Sequence, residues 1–60
     1  MRFRYEELAH CAKRELALRK RVYPRLIEEG KLTRADAERE LALMSDIQEY
    51  FETQRQPKLL

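Results

Sequence analysis

The sequence predicts an all-α fold: an antiparallel two-helix hairpin that dimerises into a four-helix bundle. Three observations carry that expectation. Two long stretches place apolar residues at three- and four-residue steps, the spacing of one helix face. A single glycine, Gly30, stands between them. The composition is 43% apolar and 40% charged with one Gly and two Pro, which suits a charged helical chain and neither a disordered nor a fibrous one.

The first helix is predicted over about residues 4–29. Its apolar stripe is Tyr5, Leu8, Ala12, Val22, Tyr23 and Leu26, with Cys11, Leu16, Leu18 and Ile27 beside it. Pro24 interrupts this stretch. Proline inside a helix removes one hydrogen bond and disfavours helical geometry in the residue before it. Two readings stand: a helix ending at Val22 with a short one restarting at Pro24, or one helix kinked near Pro24. The phase favours the kinked helix, because Val22 and Leu26 fall on the face of Leu8 and Ala12.

The turn is predicted at residues 30–33. Gly30 takes the left-handed conformation after a helix at little cost. Thr33 suits an N-cap, and Asp36 stands at capping-box spacing with Asp in place of Glu or Gln. The second helix then covers about residues 34–54, with Ala37, Leu41, Met44, Ile47 and Phe51 as its stripe and Leu43 and Tyr50 flanking it. Residues 55–60 form a frayed tail around Pro57, and the whole chain, 1–60, is one domain.

A 60-residue chain leaves little room for a core or for a ligand pocket. A bare hairpin has one seam, so a homodimer is expected. No apolar run approaches the roughly 20 residues of a membrane span, so no membrane association is expected. The opening residues lack the apolar stretch of a signal peptide. One cysteine, Cys11, gives no internal disulfide, and a cytoplasmic home follows as the simple expectation.

Charges stand where apolar residues belong. Folding the hairpin about residues 30–33 opposes positions whose numbers add to about 63. Arg19 then faces Met44 one turn from Glu40, Tyr23 faces Glu40, and Glu15 faces Gln48. A polar layer of Glu15, Arg19, Tyr23, Glu40 and Gln48 is expected inside the seam, with ion pairs Glu15–Arg19 and Arg19–Glu40. Buried charges persist only when paired. Its simplest role is to fix register.

Net charge is only +2, yet residues 1–25 hold eight Lys/Arg against three Glu, and residues 26–60 hold five against eight acids. The halves therefore carry +5 and −3. Lys13, Arg14, Lys20, Arg21 and Arg25 line the outward face of the first helix as a candidate partner-binding surface. Such a face takes a protein partner, nucleic-acid phosphates or only solvent. The outer side of the second helix carries Glu38, Ser45, Asp46, Glu49 and Glu52.

No catalytic site, metal or cofactor is expected. His10 and Cys11 are adjacent and project about 100° apart on a helix, so they do not converge. A structural zinc needs four ligands. One glycine cannot build a phosphate-cradling loop.

Residues 14–44 carry a run of Glu15-Leu16, Arg19 and Val22-Tyr23-Pro24, then Gly30 with the Thr33 cap, then Ala37, Glu40 and Met44. In this the chain resembles small uncharacterised helical-hairpin proteins encoded by bacteriophages and prophages of proteobacteria. The resemblance covers about half of the chain. It implies a mobile-element setting and brings no catalytic residues with it. The expectation is a non-enzymatic interaction module that binds or inhibits a host or phage protein. The alternatives are a nucleic-acid-binding helical dimer that uses the basic face, and a purely structural oligomer.

Overall fold

Two helices joined by a five-residue reversal make up nearly all of the described residues. The computed structural model describes residues 2–55. α1 spans Tyr5–Glu28 and α2 spans Arg34–Arg55. They run antiparallel: Tyr5 at the start of α1 meets Phe51 near the end of α2, with ring centroids 6.0 Å apart. This is an all-α helical hairpin.

Local chemistry explains each helix end. At the start of α1 the Arg4 N–H donates to the Glu7 carboxylate at 3.1 Å, the acidic half of a capping box. Glu6 and Glu7 also lie in the first turn, where the helix dipole favours negative charge. At the other end Gly30 has φ +75°, Gly30 N–H donates to the Ile27 carbonyl at 3.0 Å, and Lys31 N–H donates to the Leu26 carbonyl at 2.9 Å. That pair of bonds is a Schellman motif, and it needs a residue at ease with positive φ. α2 starts on Thr33, whose Oγ1 accepts from Asp36 N–H at 3.0 Å. The reciprocal bond to the Asp36 carboxylate is absent, the Asp side chain being one methylene shorter than Glu.

α1 continues through Pro24 without a break. Pro24 is exposed, and Val22, Tyr23, Leu26 and Ile27 around it are half-buried. The helix keeps its phase and gives up one hydrogen bond, to the Lys20 carbonyl.

The core is small. Ala9, Ala12, Leu16, Ala37 and Met44 are its buried residues, with Leu41 packed against the cluster of Ala12, Leu16 and Met44. Three of the five are alanines, which let the helix axes approach closely. Leu16, expected at the stripe's edge, lies at its centre, and Ala9 joins the core although no stripe included it. Cys11 is exposed.

The register differs from the expectation by about one helical turn. Arg19 lies opposite Glu40, not Met44, and Met44 packs with Leu16. Opposed numbers therefore add to 59 or 60 rather than 63. The Schellman motif turns the chain at Gly30 itself. The residues that follow climb back along α1, and Leu32 is half-buried on the way. Residue 34 thus starts α2 about one turn further along the seam. Arg55, expected in the tail, belongs to α2; residues 56–60 lie outside the described residues.

Candidate functional site

Arg19 is the one side chain that ties the helices by charge among the described residues. Its Nε donates to Glu15 Oε1 at 2.9 Å, one turn back on α1. Its Nη1 lies 3.6 Å from Glu40 Oε1 and donates to the Glu40 carbonyl at 3.5 Å, across the seam. The hydrogen bond that Arg19 donates to Glu15 raises the Arg19 pKa above the ordinary arginine value. Partial burial opposes the rise, and the electrostatic influence of Tyr23, Glu15 and Glu40 adds to it.

This cluster is not the interior layer that the sequence suggested. Arg19, Glu15 and Glu40 side chains are 26%, 42% and 44% exposed, and no charged residue is buried among the described residues. The bonds expected from Tyr23 to Glu40 and from Gln48 to Glu15 are not formed; both side chains are half-buried without such partners. The alanine seam explains this. With the helices close together, long side chains emerge on its flank instead of spanning its middle. The shifted register also moves Tyr23 and Gln48 away from their expected partners.

Lys13, Arg14, Lys20, Arg21 and Arg25 are all exposed. Arg25 pairs with Glu29 at 3.2 Å, one turn on. The other four make no ion pair among the described residues. Arg14 and Arg21 flank Ala17 and Leu18 on a shallow depression of about 330 Å³. The basic face is thus a ridge of uncompensated cations along the middle of α1.

A second surface escaped the sequence reading. One side of the hairpin carries a cleft of about 270 Å³ lined by Leu8, Cys11, Ala12, Met44, Ile47 and Phe51, with Glu15 of the ion cluster at its edge. On the α2 rim of that side, Leu43, Ile47 and Tyr50 are 44%, 45% and 55% exposed, and Tyr50 packs edge-on against Phe51. On the α1 rim Leu18 is 42% exposed. The signal was available: the residues flanking each stripe, Cys11 with Leu18 and Leu43 with Tyr50, project to one side of the folded pair.

On the opposite side a cleft of about 170 Å³ includes Tyr23, Pro24, Arg34 and Glu38. No group of three or more metal-ligating side chains converges among the described residues, and His10 and Cys11 are both exposed. No described helix is long and apolar enough to cross a membrane. Compared with protein-family models, curated proteins and solved structures, the chain matches none.

Proposed function

We propose that this chain is a non-enzymatic protein-interaction module, docking an acidic protein surface through the basic ridge of α1. The observation that carries this reading is the ridge itself. Lys13, Arg14, Lys20 and Arg21 stand exposed without ion-pair partners among the described residues, while Arg19 and Arg25 on the same helix are paired. Unpaired surface cations steer association with an acidic partner and set its specificity. The likeness to phage- and prophage-encoded hairpins supports a host or phage protein in that role, with inhibition of the partner as one outcome of docking.

Protein is favoured over nucleic acid by the same surface. The ridge offers Ala17 and Leu18 between Arg14 and Arg21 and no aromatic ring for base stacking. The test is capture of cross-linked partners from host lysate by the wild-type chain and by Arg14→Glu/Arg21→Glu, with circular dichroism confirming equal helicity. A defined protein, held by wild type and lost from the variant, is the expected result. Equal capture by both chains overturns the ridge assignment. A complex rich in nucleic acid that dissolves steeply with salt overturns the choice of protein.

A further inference from the structure

We infer that the open apolar side of the hairpin is covered by a second copy of this chain, α1 of one copy lying over α2 of the other.

The exposed area calls for an occupant. The chain exposes 5370 Å² at a mass of 7.3 kDa. A compact monomer of that mass exposes on the order of 4,200 Å². The surplus of roughly 1,200 Å² exceeds the roughly 800 Å² that each partner gives to a standard interface. The shape agrees. The radius of gyration is 14.1 Å, with extents of 47 × 22 × 17 Å, against roughly 10 Å for a compact domain of this length. A rod two helices wide becomes a bundle when a second rod lies on its apolar side.

Charge selects a second copy and its orientation. Residues 1–25 carry +5 and residues 26–60 carry −3, so each copy supplies the complement of the other. Two-fold symmetry about an axis parallel to the helices places α1 over the partner's α2 at equal height. A perpendicular axis would bring the two basic helices together instead. In the parallel arrangement the observed register sets the heights. Leu18 stands beside the rim leucine at position 43 of the other copy, Cys11 beside the tyrosine at position 50, and Arg25 beside the aspartate at position 36. Two of these contacts are apolar and one is ionic. Lys13 and Lys20 stay outside on both copies, while Arg14 and Arg21, which share a depression with Leu18, stand at the edge of the contact. Ile47 lies on α2 away from the ridge, so its substitution tests this inference apart from the docking function.

Light scattering on the purified chain is expected to give twice the single-chain mass. Ile47→Glu, which puts a charge on the apolar side at a half-exposed position, is expected to return the single-chain mass. Mild oxidation of Tyr50→Cys is expected to join it to the native Cys11 of a second copy, giving a covalent species of doubled mass that Cys11→Ser removes. A single-chain mass at every concentration overturns the inference, as does a doubled mass that Ile47→Glu leaves intact. A Tyr50→Cys chain that forms no covalent pair overturns the orientation.

Discussion

Arg19 and Glu40 are joined twice, by an ion pair of 3.6 Å to the carboxylate and a hydrogen bond of 3.5 Å to the backbone carbonyl. One guanidinium thereby holds both the side chain and the main chain of the facing helix. Its third contact, to Glu15 at 2.9 Å, fixes the guanidinium from behind.

Arg19→Met is expected to lower stability by about 1 kcal/mol, the scale of solvent-screened pairs. Arg19→Lys recovers only part of this loss, because one ammonium does not reproduce the planar fork. The raised pKa of Arg19 sets the pH behaviour. A cation with a raised folded-state pKa stabilises fully below its unfolded value and stops doing so only as pH rises through the raised one. The wild-type advantage over Arg19→Met should therefore be equal at pH 7 and pH 9 in thermal melts. An advantage that shrinks by pH 9 would contradict the assignment.

Gly30→Ala tests the turn. A Cβ at Gly30 meets nothing within 4 Å, so the cost is conformational alone, about 1–2 kcal/mol for a left-handed L-residue. Gly30→Asn should cost less. Urea midpoints that rank Gly, Asn, Ala in falling order confirm this; an unchanged midpoint for Ala would show that the motif re-forms another way.

Leu16→Ala should be the severest core change. Emptying a buried leucine site costs about 2–5 kcal/mol. A domain of this length holds roughly 3–9 kcal/mol in total. Most of the helical signal should therefore vanish at 37 °C. Leu16→Met, which keeps the volume, should stay folded. Circular dichroism distinguishes the two.

Pro24→Ala should stabilise the chain. Interior proline costs about 3 kcal/mol relative to alanine in a helix, and its stiffening of the unfolded chain returns up to about 1. A gain of about 2 kcal/mol with unchanged helicity is expected. A loss would mean that Pro24 contributes packing beside Tyr23 and Arg34 that outweighs the missing hydrogen bond.

What was legible in the sequence was whatever depends on near neighbours. Gly30 and Thr33 announced the turn because positive φ and an N-cap are each decided within a few residues. Passage of the helix through Pro24 was legible in the phase of Val22 and Leu26. The pairing partner of Arg19 was legible as Glu40, since one turn of error still leaves them within reach of a long side chain. The register was not, because it depends on how far residues 31–33 climb along α1. The core was legible in part: Ala12, Ala37 and Met44 stood in the stripes, but Ala9 did not, because alanine is weakly apolar and is buried there only where the helices come close. Ile47 belonged to the stripe by spacing yet stands half-exposed, because a hairpin has only one seam to cover it.

The reversal at Gly30 also orders the chain in time. Every interhelical contact spans the same turn, so the length of chain enclosed grows steadily toward the termini. Arg19 and Glu40 enclose 21 residues. Tyr5 and Phe51 enclose 46, the difference of their positions. Closing the longer span costs about 0.7 kcal/mol more by the logarithmic loop law. The hairpin should therefore zip from the turn outward and open from the termini inward. Substitutions at Gly30 and Thr33 would slow folding, while those at Tyr5 and Phe51 would chiefly hasten unfolding.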